Sequence, residues 1–381
     1  MSGKQIYFLV NMTTSFEERI LRGMARFARA QNPRWRLRWG AKLDEDISKD
    51  CNGIVMFAVN PDALALVRDC GLPVVATSTR HLKDGFPCVV TDDQAIGELA
   101  ATHFRERFYR SFAYLGPDNV AFGVARQQAF ARALTPEPVR VLHLREGVAL
   151  EVRLRDLRRD LERLPPQTAV FCANDVFARM VLTVLEHSAR KVPGDLSVMG
   201  VDADELVGLS CPVDLTSIDS APERIGERAI ELLGRMIDRP GHVPADRVER
   251  VRPAGVVEGS STDALATEDA LVERAGQLIR QHAFDRDYSI DQLARDTGCS
   301  RRSLEVRFSE VTDMGISRHI WKLRMDRAKE LLLTTPRTLT EIAEAAGFSS
   351  AYHLCEKFKK ETGITPGRFR KKKSEAKMDL G

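Results

Sequence analysis

The chain has 381 residues, 43% of them apolar, and 57 lysines and arginines against 54 acidic residues, a formal net charge of +3. That length exceeds one ordinary domain and can bury a sizeable core. No apolar run is long enough to cross a membrane, and seven cysteines without a Cys-x-x-Cys pair argue against a zinc site and for a reducing compartment. A strand, Gln5 to Val10, opens the chain after one lysine, so no signal peptide is expected and the protein is expected to be cytoplasmic.

Up to about residue 260, short apolar runs alternate with amphipathic stretches. Ile6 to Val10, Ile54 to Val59, Val74 to Thr77, Phe112 to Leu115, Ala169 to Cys172 and Leu196 to Val201 read as buried strands, Phe16 to Ala30 and Ala95 to Phe108 as helices between them. Such alternation predicts an open α/β sheet, mostly parallel, with ligands at the carboxyl ends of its strands. Those ends are polar: Asn11 and Thr13 after the first run, Asn174 and Asp175 after Phe171-Cys-Ala, Asp202 after Met199-Gly-Val. Cys51, Cys88 and Cys172 lie beside apolar runs and read as small core residues.

An enzyme is the rival reading of any parallel α/β region. Neither Gly-x-Gly-x-x-Gly nor Gly-x-x-x-x-Gly-Lys-Ser/Thr follows the first strand. There is no His-x-x-x-His pair, nucleophile elbow or grouped set of carboxylates at a strand end, so no catalytic residue, metal site or cofactor is expected. The neighbouring acids Asp92-Asp93 and Asp202-Ala-Asp204 read as helix caps sooner than as an acid-base pair.

The last third carries one segment written twice, over 290–315 and 339–363. Ile290, Leu293, Ala294, Gly298, Ser300, Leu304, Phe308 and Gly315 are answered by Leu339, Ile342, Ala343, Gly347, Ser349, Leu354, Phe358 and Gly363, with one extra residue placed in the second helix. Each copy predicts a helix, a glycine turn at positive φ, a capping serine and a second helix, a device for reading duplex DNA when it occurs in tandem. The free faces would present Arg301, Arg302, Glu305, Val306 and Arg307 in one copy, and Ala351, Tyr352, His353, Cys355, Glu356, Lys357 and Lys359 in the other. Between them Ile316 to Leu333 predicts one amphipathic helix closed by Pro336, a rod of about 27 Å against the roughly 34 Å between successive major grooves on one face of B-DNA. All the excess positive charge lies from Thr262 onward, part of it in the run Arg370 to Lys373.

Ile290 to Arg370 resembles the DNA-binding domain of the AraC/XylS family of transcription regulators, through Leu339-Thr-Glu-Ile-Ala, Ala346-Gly-Phe348, Phe358-Lys-Lys-Glu-Thr-Gly363 and Thr365-Pro-Gly-Arg-Phe-Arg370. The resemblance puts Arg302, Glu305 and Val306 on base-reading positions of the first copy, and Ala351, Tyr352, His353, Cys355 and Glu356 on those of the second. Ile6 to about Thr262 resembles the effector domain of LacI/GalR repressors, itself similar to periplasmic sugar-binding proteins. Here the motifs are Ala169-Val-Phe-Cys-Ala-Asn-Asp175, Val192-Pro-Gly-Asp-Leu-Ser-Val198, Gly200-Val-Asp202, Pro212, Leu215-Thr-Ser217, Gly226 with Ala229, and Val256-Val-Glu-Gly-Ser-Ser-Thr262.

The resemblances imply a two-lobed, periplasmic-binding-protein-like α/β effector domain of parallel sheets over 1–262, with crossings between lobes after about residue 100, near Arg179 to Ser220 and near the end. An all-α DNA-binding domain with two helix-turn-helix motifs would fill 263–381. They also imply a DNA-binding regulator of transcription whose effector is a small sugar, a pentose such as D-xylose, held by Arg126, Asn174 and Asp202, with Asn11 and Phe16 as further candidates. A guanidinium and a carboxylate suit vicinal hydroxyls, and an aromatic ring suits a sugar's C–H face. The competing readings are helix caps for Asn174 and Asp202, and a hydrophobic staple for Phe16. Closure around sugar would move the linker, Glu258 to Glu268. Partners implied are double-stranded operator DNA, a second copy of the chain in a homodimer, and RNA polymerase. A regulator with another effector or none, and a sugar-active enzyme, are the alternatives.

Overall fold

A computed structural model describes residues 4–31, 35–43, 49–144, 148–267 and 269–370, apart from the side chains of Glu330, Leu333 and Thr334. The basic run at 371–373 and linker residue Glu268 lie outside the described residues. The chain divides into two compact units, Met1–Thr262 and Asp263–Gly381.

The first unit is built of two lobes. In chain order, Gln5–Leu9 (β1), Ser15–Gln31 (α1), Arg36–Gly40 (β2), Gly53–Met56 (β3), Pro61–Asp69 (α2), Val74–Ala76 (β4) and Cys88–Thr91 (β5) open the first lobe. The second lobe then takes Asp93–Glu106 (α3), Ser111–Leu115 (β6), Ala121–Leu134 (α4), Val139–Leu142 (β7), Leu150–Glu162 (α5), Thr168–Cys172 (β8), Asp175–Glu186 (α6), Leu196–Val201 (β9), Glu205–Leu209 (α7) and Thr216–Asp219 (β10). Pro222–Asp238 (α8) and Val248–Val251 (β11) return to the first lobe, and Gly255–Val257 (β12) to the second. The first sheet has the order β11-β5-β4-β3-β1-β2 and is parallel throughout. The second has the order β12-β10-β9-β8-β6-β7, in which only β12 runs antiparallel.

Strands β3, β4, β5, β8 and β9 are buried at every residue, because helices cover both faces of a parallel sheet and leave no wet side. The predicted run Ile54 to Val59 ends earlier, at Met56, and Phe57 swings out beside Phe16. On the first sheet α1 and α8 cross almost backbone to backbone. A Cβ on Gly226 would stand 2.0 Å from the Ile20 carbonyl oxygen, so only glycine lets the helices meet there.

The crossings lie at Asp92–Asp93, somewhat before the position expected, at Ser220–Ala221, at the end of the stretch expected, and at Arg252–Ala254, near the end of the unit. They are tied to each other: the Asp92 amide donates to Val251 O at 2.9 Å and the Ala254 amide to Asp219 O at 2.8 Å. The end of the unit is fastened to the second lobe. Arg107, just past α3, donates from Nε to Thr262 O at 3.1 Å and from Nη2 to Glu258 Oε2 at 2.8 Å. His103 Nε2 lies 2.9 Å from Thr262 Oγ1, and Ser261 Oγ donates to Val198 O at 2.6 Å. His103, Arg107, Ser261 and Thr262 are all buried.

The second unit is helical: Ala270–His282 (α9), Ile290–Asp296 (α10), Arg301–Thr312 (α11), Ile316–Thr334 (α12), Leu339–Ala345 (α13) and Ala351–Thr362 (α14). Gly298 and Gly347 take φ of +73° and +76° in the two turns, as the sequence predicts. The repeat is truer in space than in letters. Ser300 caps α11 by accepting from the Ser303 amide, but α14 is capped by Ser350, not Ser349, so the extra residue lies in the turn and both reading helices have twelve residues. The partner of Gly363, which ends α14 at φ +75°, is Asp313 at φ +52° rather than Gly315, which caps α12. Thr312 and Thr362 then repeat the same hydroxyl bonds, to Phe308 O and Met314 O in one copy and to Phe358 O and Ile364 O in the other.

Candidate functional site

The loops where strands end and the chain changes lobe bring together a buried polar cluster. Arg126, on the inner face of α4, donates from Nε to Asp93 Oδ1 at 2.9 Å and from Nη1 to the carbonyl of Ala173, the residue before Asn174. Its remaining nitrogen, Nη2, makes no hydrogen bond among the described residues, and the guanidinium lies 5.0 Å from the Phe122 ring centroid. Burial works against its charge, yet Asp93 and Asp202 outweigh that and hold the guanidinium above its ordinary value. Asp93 is thus an ion-pair partner, braced by Thr91 Oγ1 at 2.9 Å. Of the acids read as caps, Asp92 and Asp204 are caps and Asp93 is not.

Asp202 stands half-buried after β9 with φ of +105°, a conformation L side chains rarely adopt, and Ala203 follows at +49°. Its Oδ1 accepts from Ser220 Oγ at 2.8 Å and its backbone oxygen accepts from Arg19 Nη1 at 2.5 Å. Burial raises its pKa, while Arg126 and Ser220 pull the other way. Asn174 caps α6, its Oδ1 accepting from the Phe177 amide at 3.1 Å, which leaves the amide NH2 as a donor. Beside it Asp175 accepts from Ser217 Oγ at 2.6 Å and from the Asp204 amide at 2.7 Å. Burial, then the neighbouring Asp202 carboxylate, push Asp175 up to about 8.

Arg126, Asn174 and Asp202 therefore share one neighbourhood. Asn11, exposed after β1, and Phe16, in the first turn of α1, stand on the other lobe; Phe16 packs 5.7 Å from Phe57 and joins the first core. The first lobe thus offers a half-buried aromatic pair and the second a charged cluster, the combination of apolar and polar groups that holds a small polyol. Sequence reasoning missed Asp93, Ser220 and Arg19. Asp93 was visible only as one of two adjacent acids, and nothing in the spacing marks Arg19.

In the second unit the faces opposite Leu304, Phe308, Leu354 and Phe358 stay open. Arg302 is exposed and has no ion-pair partner among the described residues, and Val306 is 50% exposed. Arg301 is held by Glu305 Oε1 at 3.0 Å and Asp291 Oδ2 at 3.3 Å, so its charge is internally paired. Arg307 is exposed but engaged: its Nε donates to Asp269 Oδ2, at the cap of α9, at 2.8 Å. On α14 Tyr352 is 78% exposed, Glu356 and Lys359 are exposed, and Ala351, His353, Cys355 and Lys357 are half-buried, with His353 Nδ1 3.0 Å from Ser349 Oγ. The rod between the copies, α12, has nineteen residues, about 28 Å at the helical rise.

Comparison with known proteins agrees with this architecture. The family of the periplasmic binding protein-like domain matches residues 101–262 and that of a helix-turn-helix domain matches 293–372. The xylose operon regulatory protein of Escherichia coli (strain K12) is 29% identical over 98% of this chain and 98% of its own length. That of Haemophilus influenzae is 26% identical over 96% and 98%. The solved structure of the xylose-binding transcription activator xylR superposes with a TM-score of 0.62 at 26% identity, covering 97% of this chain and 98% of that one. Among the described residues no helix is long and apolar enough to cross a membrane. With a binding-protein-like domain followed by a helix-turn-helix domain, and with both lengths spanned, the chain is similar from end to end to the xylose operon regulators.

Proposed function

We propose that the protein is a cytoplasmic regulator of transcription, not an enzyme, whose affinity for operator DNA responds to a pentose, D-xylose or a close relative, bound between the lobes of its first unit. The observation that carries this reading is the meeting of Arg126, Asp202 and Asn174 at the lobe crossings in a chain that ends in two helix-turn-helix copies. Arg126 Nη2 and the Asn174 amide offer donors, the free oxygen of Asp202 an acceptor, and Phe16 with Phe57 an apolar cover. Asp93 serves an ion pair, Asp92 and Asp204 serve caps, and Asp175 and Asp202 accept from Ser217 and Ser220, roles that favour holding a ligand over general acid-base work.

Three crossings tied by backbone hydrogen bonds form a hinge, and a ligand touching both lobes favours their closed arrangement. The regulator acts as a homodimer: Leu206 and Leu209 stand 73% and 78% exposed on α7 with Val176 40% exposed on the neighbouring α6, an apolar patch that a second copy would cover. Four reading helices would then meet the operator, with RNA polymerase as the downstream partner. Calorimetry with D-xylose, D-ribose, L-arabinose and hexoses tests the proposal: one pentose gives saturable heat that Asp202→Ala abolishes, and the same pentose shifts a gel-retardation titration. Turnover of any of these sugars, or DNA binding indifferent to all of them, would replace it.

A further inference from the structure

We infer that Arg19 is a positioning residue for the effector: from the first lobe it sets where the Asp202 carboxylate of the second lobe stands. This rests on the reading of Asp202 as a ligand residue. Asp202 and Ala203 both hold positive φ, and such a pair persists only where its surroundings over-determine it. The three amides of the segment all have partners, the Asp202 amide donating to Ile218 O at 2.8 Å. The Asp204 amide goes to Asp175 and the Ala203 amide to Ser217 Oγ at 3.0 Å, both within the second lobe. The Asp202 carbonyl alone is taken by a side chain of the first lobe, Arg19, on α1 one turn beyond Phe16.

Arg19 is in turn fixed on every edge. Its Nε and Nη2 form a fork on the Glu223 carboxylate, at 2.8 Å each, and Nη2 also reaches Asp219 Oδ1 at 2.9 Å at the second crossing. Burial opposes the charge, but Glu223 and Asp219 hold the guanidinium above its ordinary value. One planar group therefore joins α1, α8, the crossing and the carbonyl of the candidate ligand residue, and lysine has neither the fork nor the number of donors to repeat it. Ser220, next to Asp219, meanwhile holds the Asp202 carboxylate. Backbone and side chain of Asp202 are both placed from the hinge, so losing Arg19 frees the segment to relax out of positive φ and carries the carboxylate away from Arg126.

The test is a double-mutant cycle on the full chain, titrated with D-xylose, D-ribose and L-arabinose. Arg19→Met is expected to weaken the pentose that binds by at least tenfold, Arg19→Lys to restore only part of it, and Arg19→Met to cost less than a further twofold in an Asp202→Asn background. Glu223→Gln, which loosens one edge of the fork and endangers folding less, is expected to give a smaller loss in the same direction. Unchanged affinity in Arg19→Met, or losses that simply multiply with Asp202→Asn, would overturn the inference. If Asp202→Asn binds as the unaltered protein does, the reading of the site falls instead. A crystal structure of Arg19→Met decides the matter without sugar: Asp202 is expected to leave the positive-φ region, and its staying near +105° would refute the positioning role.

Discussion

Asp175 shows how a residue with no direct role in recognition governs a site. Its acid is buried with a pKa near 8 while unfolded chains ionise it near 3.8, so folding takes up a proton between those values and stability from this group falls as pH rises through that window. Asp175→Asn is expected to flatten that fall; urea unfolding of the two proteins at pH 5 and pH 8.5 measures it as a loss of stability, toward high pH, of the unaltered protein relative to the variant. Arg302, exposed and without an ion-pair partner among the described residues, is the side chain proposed to reach a base edge in the first copy. Arg302→Ala is expected to cost about 1 to 3 kcal/mol and relax preference at one base pair, whereas Lys359→Ala weakens all sequences alike and lowers the salt slope. Gel-retardation with a randomised operator separates the two outcomes. Residues of this kind were partly legible in the letters. Asn174, Asp202 and Arg126 could be named through their motifs, but Arg126's bond to Asp93, and Arg307's to Asp269, depend on parts of the chain that meet only after folding.

The repeated helix-turn-helix was the most legible element, because glycine at positive φ, an N-cap and paired apolar residues are local requirements that each copy must meet by itself. Where the letters misled, geometry explains it. Two serines in succession, Ser349 and Ser350, can each cap a helix, and only the extra residue's place in the turn decides for Ser350. Ser350→Ala is expected to cost about 1 kcal/mol of stability and Ser349→Ala a few tenths, read from thermal unfolding of the second unit. Strands β2, β7 and β11 were not legible: all three lie at or next to sheet edges and carry charged residues such as Arg38, Arg140 and Glu249, which break the apolar run that marks a central strand. The close crossing of α1 and α8 rests on Gly23 as well as Gly226, and of the two only Gly226 stood in a motif. Gly226→Ala is expected to destabilise the first unit by about 2 to 3 kcal/mol through overpacking, and since Glu223 begins the same helix it should also weaken sugar binding.

At the scale of the whole molecule the division after Thr262 makes a separable prediction. A fragment from Asp263 to the end should fold, bind operator DNA and ignore sugar, which circular dichroism and gel-retardation with and without D-xylose would establish. The stretch before that boundary has a consequence for how news of an occupied cleft leaves the first unit. Glu258, Ser261 and Thr262 are gripped by Arg107, His103 and Val198, all belonging to the second lobe. The tether to the DNA readers is thus moored to the second lobe, and on the proposed closure its starting point would travel with that lobe. Cutting the mooring rope, by Glu258→Gln with Arg107→Met, should leave sugar affinity intact and blunt the sugar-dependent change in operator affinity, a message received but not forwarded.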